Sequence, residues 1–537
     1  MRLTGLHLLA ASSCEEGTAE DGRPDANLAS AAEAAELRDG YRSAEALRRP
    51  KAECCPRVDC CPRVEYRPRV IHKNAAQRRL LKLAEGNMES VFRWMVVTLA
   101  LAALPAWAGV RPRYGGTLRV AMAGSLVSLD PAEPSAPNSG DAVARARITP
   151  LLFDTLVRVD AEGRGHPRLA VAWQADRSFQ RWQFWLRPGV RFSDGTPLTA
   201  AAVVEALGGH AEWKARVDGE LVVIESDAAR PGLLAELALA RNAVVRRTAG
   251  LVGTGPFVVK TFVAGKSLDL AAKDGSWGGR PFLDAVQIEF GKPTREQMTA
   301  LQLGKVDLIE VGAEQIGKVE SEGRKAQISL PVELVALVGG SANVRQALSL
   351  AVDRKAIQSV LLRGGSEATG GVLPEWMCGT GVLFPVQVDL GRGLVGVGKS
   401  GRVGAPAPTR ALTLSYEAGD GLARLLAERV ALNAREVGLT VQVVASGGEL
   451  RLMRIPLGSG DAGVALGEVG RVVGVKVAAG LRAPGEIYLA EKKLMEEGAV
   501  VPLFHLPSAS LTGERVRGFS ADKLGWWGLE EGWVEGN

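Results

Sequence analysis

Cysteine is scarce in this chain and unevenly placed. Five of its six cysteines, Cys14, Cys54, Cys55, Cys60 and Cys61, lie before residue 88, and only Cys378 follows. The main body therefore cannot hold an internal disulfide and must be stabilised by packing. Histidine is as rare: beyond residue 88 only His166, His210 and His505 occur, none in H-E-x-x-H spacing. Zinc has no credible ligand set, and no metal or other cofactor is expected. No G-x-S-x-G elbow occurs, and GGSAN at 339–343 lacks its closing glycine, so the chain is not read as an enzyme. Net charge is only +5, with no Lys/Arg block interleaved with aromatics, so nucleic acid is not an expected partner.

What is present is ordinary for a globular protein: 46% apolar and 23% charged residues. At 537 residues the chain has room for about three domains. Residues 1–87 differ from the rest. CCPRVDCCPRVEYRPRV repeats a CPRV unit that decays to RPRV, with Pro and Arg where ligand spacing would be needed. This stretch is expected to be disordered, or a translated upstream extension. Met88 then opens a signal-peptide layout over 88–108. Arg93 is the positive flank, an apolar run spans Met95 to Pro105, and Ala106-Trp107-Ala108 is an A-x-A cleavage site. The run is shorter than the roughly 20 residues of a membrane span. Cleavage would leave Gly109 as the mature N-terminus, with no cysteine beside it for a lipid anchor.

The mature region mixes strand and helix signals unevenly, which fits α/β lobes. GTLRVAMAG (116–124), LVVIE (221–225) and GPFVVKTFV (255–263) read as strands. Thr199 precedes AAAVVEAL as an N-cap, and Asp194-Gly195 forms a tight turn before it. Residues 343–362 repeat apolar positions at helical spacing from a cap at Asn343. Residues 422–438 form an amphipathic helix ending at Gly438. Gly253 and Gly255 read as a bend that exploits glycine's wider φ range. GLVGVGKS at 393–400 fits the P-loop pattern, but Pro406 and Pro408 follow, so it reads as a Gly-rich surface loop. His166 is read as solvated, and His505, after an apolar strand, as a satisfied core or cleft residue. Trp277, Trp526 and Trp527 are read as packing residues.

Several stretches carry a resemblance. YGGTLRVAMAG…SLDPAEP, LLFDTLVRVDAEGRGHPRLAVAWQ, WQFWLRPGVRFSDGTPLTAAAVVEAL, GTGPFVVKTF, VRQALSLAVDRKAI and VVPLFHLP occur in the order found in the family 5 extracellular solute-binding proteins. The resemblance runs from about Tyr114 to Phe519. It implies an α/β, type II-like periplasmic binding protein: two large lobes, a small extra subdomain, mixed sheets and a ligand cleft between lobes. The expected segments are lobe I at 109–160, 251–330 and 501–537, the small lobe II at 161–250, and lobe III at 331–500. It further implies a monomeric periplasmic receptor that captures a peptide or related small solute and delivers it to an ABC permease in the inner membrane. A non-transport, chaperone-like binding protein with a degraded site is the alternative.

For the cleft, Ser125, Leu126 and Asp130 follow the first strand, where the family lines its site. Trp376 and Glu375 lie in a Gly-bounded loop that suits a cleft edge. GDAGVALGEVG (460–470) resembles the family's strand that leads to a DYxDP carboxylate. Here Val469 replaces the usual Trp and no DYxDP follows. Leu466, Gly467 and Glu468 are the candidates left: either Glu468 or Glu375 is the substitute anion, or the solute lacks a free amine.

Overall fold

A computed structural model describes residues 111–133, 141–378, 380–396 and 411–535. The upstream extension, the signal segment and residues 397–400 of the P-loop-like stretch lie outside the described residues. One mixed sheet of eleven strands dominates. Along it run Phe257–Val263, Ser267–Ala272, Ala285–Glu289, Thr117–Ala121, Leu308–Val311, Val500–Thr512, Gln327–Gly339, Leu450–Pro456, Leu412–Ser415 and Val441–Val444, while Glu367–Ala368 pairs with Val500–Thr512 off this path. A separate four-stranded sheet contains Ala170–Ala175, Arg181–Leu186, Leu221–Glu225 and Lys214–Asp218. Among the described residues no helix is long and apolar enough to cross a membrane.

Two 13-residue strands, Gln327–Gly339 and Val500–Thr512, run antiparallel through the middle of the large sheet. At one end Val500–Thr512 pairs with Leu308–Val311. Near the other, Gln327–Gly339 pairs with Leu450–Pro456. Between these ends the register shifts on both sides of Pro331, which stands opposite Pro507. Neither proline has an N–H to donate, so the ladder is interrupted where the sheet passes from one half to the other. Separate apolar cores flank this seam. One is built on Leu118, Ile148, Phe257 and Ile288, and another on Val335, Leu348, Leu426 and Phe504. A third, around Phe184, Val203 and Val222, belongs to the small sheet.

Local signals explain many boundaries. Thr199 caps Ala200–Ala206 by accepting from the Ala202 N–H at 3.2 Å, and Gly195 takes φ +84° in its turn. Gly438, at φ +77°, follows helix Gly421–Glu436, which Asp420 caps. Three expectations need correction. Ser341, not Asn343, caps Ala342–Ala351, because its extended backbone aims the hydroxyl at the Val344 N–H. The expected single helix over 343–362 breaks at Val352–Asp353, and Asp353 caps a second helix, Arg354–Val360. Residues 460–470 are not a strand: Asp461 caps helix Ala462–Val473, which buries Ala465, Leu466, Val469 and Gly470 at helical spacing.

Gly253 and Gly255 also need a different reason. Neither has a positive φ; what matters is close approach to the end of helix Asp141–Leu152. A Cβ on Gly253 would lie 2.1 Å from the Leu152 carbonyl oxygen, and one on Gly255 would lie 2.5 Å from the Leu152 carbonyl carbon. Because the obstacle is backbone, Gly253→Ala is expected to reduce stability by about 2–3 kcal/mol. Urea unfolding checks this. A loss below about 0.5 kcal/mol would show that the two segments can part freely.

Candidate functional site

Charge collects where the two long strands cross the seam. Arg147, on the inner face of helix Asp141–Leu152, is buried. It pairs with Glu310 and donates to Ser508 Oγ, with its guanidinium 4.9 Å over the Trp527 ring. Burial pulls its pKa down to about 10, against the attraction of Glu333. Glu310 is fixed in turn by the Ala123 N–H, 2.6 Å from Oε2.

From the other half, Arg454 projects off strand Leu450–Pro456. It grips Glu333 through two bonds, Nε–Oε1 at 2.9 Å and Nη2–Oε2 at 2.7 Å, and reaches Asp420 Oδ2 at 2.7 Å. Burial works against its charge, but Glu333 and Asp420 outweigh it and hold the guanidinium firmly protonated. Asp420 stays well ionised for the same reason: burial opposes its charge, and Arg454 overcomes that.

Glu314 is the exception. It lies in the turn Ala313–Gln315 that follows strand Leu308–Val311. Its carboxylate folds over Gly312, where a Cβ would come within 2.3 Å of Oε1. Burial raises its pKa; its own backbone N–H and Arg454 relieve this only in part, and nearby Asp420 adds to it. Its Oε2 is buried and accepts no hydrogen bond. The cluster thus holds two guanidiniums, Arg147 and Arg454, against four carboxylates, Glu310, Glu314, Glu333 and Asp420.

The expected site residues are distributed around this cluster unequally. Trp376 reaches the seam: its indole N–H donates to the Pro331 carbonyl at 2.8 Å. Glu375, beside it, is exposed. Ser125 is half-buried, but Leu126 is a core residue with 1% exposure and offers a solute no surface. Asp130 is held bidentately by Arg247 at 2.8 and 2.7 Å. Leu466 is fully buried. Gly467 and Glu468 line a different cavity, of about 360 Å³, between helix Ala462–Val473 and the small sheet's surroundings. There Glu468 pairs with Arg241 and Arg471, so its charge is already neutralised. The other carboxylates of that cavity are matched too: Glu212 and Glu236 by Arg230, and Asp461 by Arg482. Its balanced charge makes it a weaker candidate than the seam with its surplus carboxylate.

Arg147, Glu310, Glu314, Glu333, Asp420 and Arg454 were not singled out from sequence. A signal existed for two of them. Glu333 in SLPVELVALVG and Arg454 in LRLMRIP are charges inside apolar strands, where an unpaired charge would be prohibitive. His505 is a buried core residue, with Nε2 2.8 Å from the Val372 carbonyl and its pKa lowered to about 4 by burial. Trp277 packs against the small-sheet core and donates to Asp154 at 2.8 Å, and Trp527 is buried. Among the described residues no group of three or more His, Cys, Asp or Glu is arranged to hold a metal.

The sequence profile described as "Bacterial extracellular solute-binding proteins, family 5 Middle" matches residues 165–218 and 238–454. The nickel-binding periplasmic protein of Escherichia coli K12 is 24% identical over 346 residues, covering 55% of this chain and 66% of that protein. The probable D,D-dipeptide-binding periplasmic protein DdpA of the same organism is 24% identical over 251 residues, covering 39% of this chain and 48% of that protein. The chain thus spans about half to two thirds of the length of these curated relatives. Among solved structures, the oligopeptide-binding protein AppA of Bacillus subtilis, in complex with a nonapeptide, aligns with a TM-score of 0.67 at 17% identity. That alignment covers 79% of this chain and all of AppA. NikA of Staphylococcus aureus, in complex with Ni(L-His)2, aligns at 0.64 with 14% identity over 78% of this chain and 100% of its own. These likenesses show the fold, that of the type II periplasmic binding proteins.

Proposed function

Because this chain belongs to the bacterial extracellular solute-binding proteins, family 5, we propose that it is the periplasmic receptor of an ABC importer, binding a small solute at the seam and passing it to a permease. The observation that carries this reading is the surplus of carboxylate over guanidinium at the sheet crossing, with Glu314 lacking a partner for one buried oxygen. A solute bearing a cationic group, such as the ammonium of a peptide or amine, supplies the missing charge. Glu314 is its acceptor and the Trp376 indole is the adjoining apolar wall. Ser125 and Glu375 belong to the rim. The proline pair at the seam is the hinge about which the residues to either side close, with the halves corresponding to the lobes inferred from the sequence. The chain works by binding rather than catalysis, and reaches the periplasm through residues 88–108.

Two measurements on protein recovered from its own cell envelope test the proposal. Native mass spectrometry is expected to show a small co-purified cationic solute. Small-angle scattering is expected to give a smaller radius of gyration with that solute than after its removal. An empty protein, or an equal radius in both states, would remove the receptor reading.

A further inference from the structure

The loop that carries Trp376 is fastened at both ends to one buried carboxylate. Glu491 sits on helix Pro484–Glu497 with no exposed surface. Its Oε1 accepts the N–H groups of Val372 at 2.5 Å and Leu373 at 2.9 Å, just before the loop. Its Oε2 accepts the Thr380 hydroxyl at 3.2 Å, just after it. Gly371 leaves room for this approach, since a Cβ there would lie 2.8 Å from Glu491 Oε1. From the opposite side, His505 Nε2 meets the Val372 carbonyl at 2.8 Å, so the loop's root is held through both its N–H and its C=O. The loop's tip is tied to the seam by the bond from Trp376 to Pro331.

We propose that Glu491 is a positioning residue, a latch that closes both ends of the Trp376 loop and so fixes the indole against the seam strand. Its functional meaning rests on the receptor reading above; the latch itself does not. Burial favours the protonated acid, against the Leu373 and Val372 N–H groups and the Thr380 hydroxyl, which favour the charged form. Oε1 then still accepts both N–H groups while the Oε2 hydroxyl donates to Thr380. The ionised form has no cation among its hydrogen-bonding partners. Burial accordingly raises the Glu491 pKa to about 7. His505 lies across the Val372 peptide and Cys378 beyond Thr380 (Sγ–Oγ1 2.9 Å), while Glu375, in the turn Glu375–Cys378, is exposed and acts on Glu367. Helix Ala462–Val473, packed alongside, contributes Ala465, Leu466 and Val469 to the shared apolar core. Because the folded pKa lies above the ordinary carboxylate value, the latch is tightest below the ordinary carboxylate range and loosens as pH rises from there to about 7, above which it stays level.

The test needs no solute. Hydrogen exchange over residues 369–380 and thiol labelling of Cys378, both resolved by peptide mass spectrometry on the full chain, read loop opening directly. Glu491→Ala is expected to speed both by about tenfold or more. Glu491→Gln, which keeps an acceptor for the two N–H groups and a donor for Thr380, should stay within about threefold of the parent. After correction for intrinsic exchange and thiolate fraction, the parent's opening should climb from the ordinary carboxylate range up to about pH 7 and level off above it, and the Gln variant's should not. Labelling of the Ala variant at the parent rate, or of the Gln variant as fast as the Ala variant, overturns the proposal. If the Ala variant does not fold, a Gln profile that still climbs with pH overturns it. An empty, non-closing protein with this latch behaviour intact would sink the receptor reading alone.

Discussion

Replacing Arg354 with alanine is expected to lower the unfolding free energy by about 4 kcal/mol, the largest stability effect foreseen for a single residue here. Arg354 closes the VDR turn between helices Ala342–Ala351 and Arg354–Val360 and is 1% exposed. Its guanidinium donates to the Pro502 carbonyl through Nε at 3.1 Å and Nη2 at 2.9 Å, and to Ser349 O at 2.9 Å. It thus satisfies a carbonyl at the end of one helix while tying both helices to the long strand Val500–Thr512. Burial lowers its pKa to about 10, so it remains a cation at neutral pH, solvated by carbonyls instead of a carboxylate. Alanine would leave those carbonyls buried without donors and open a void. Arg354→Lys should recover only part of the loss, because a single ammonium cannot reproduce the fork that reaches both carbonyls. Chemical denaturation at constant m-value measures both. A loss under about 1 kcal/mol for the alanine variant would mean that water replaces the guanidinium easily.

Glu314→Gln is expected to weaken capture of the co-purified cationic solute by about a hundredfold, roughly 3 kcal/mol, while slightly raising the stability of the solute-free protein. The two effects have opposite signs for one reason. Without solute, Glu314 is a half-buried carboxylate near Asp420, with one buried oxygen that accepts no hydrogen bond, so an uncharged amide relieves repulsion. With solute, the same carboxylate becomes the counter-ion and its loss strands a buried cation. Because its folded pKa is raised, Glu314's charge burdens the solute-free fold at high pH, and the burden lifts as pH falls through that pKa. Binding follows the opposite course. Affinity should fall with acidification, beginning at a pH above that of an ordinary carboxylate, and this dependence should disappear in the Gln variant. Calorimetry over a pH series reads both. Unchanged affinity in Glu314→Gln would relocate the solute's charge partner.

The sequence was most informative where structure is set within a turn or two of chain. Thr199 and its helix, the Asp194-Gly195 turn, the LVVIE strand and Gly438 after its helix could all be recognised because a cap, a φ value or an alternation involves residues no more than a few positions apart. The glycines of GTGPF were recognised for the right positions and the wrong cause. Their partner is Leu152, about a hundred residues earlier, and nothing adjacent to them encodes a backbone approaching from outside. Residues 460–470 went wrong where two local signals competed: the strand-like resemblance was outweighed by the Asp461 cap and the helical spacing of Ala465, Leu466 and Val469.

The order of its motifs by itself determined the family and fold of this protein, because each motif is a local solution to capping, turning or core packing. The candidate site was decided only by the tertiary structure. Arg147, Glu310, Glu314, Glu333, Asp420 and Arg454 come from four separate elements, a turn and a helix cap, and only Glu333 and Arg454 stand out in their own segments. Whether a carboxylate is neutralised depends on which guanidinium the fold places within hydrogen-bonding distance. Glu468, favoured by its place in the sequence, meets two. Glu314, which nothing in the sequence marked, has a buried oxygen that meets none, because Coulombic pairing acts through space while a sequence records only neighbours along the chain.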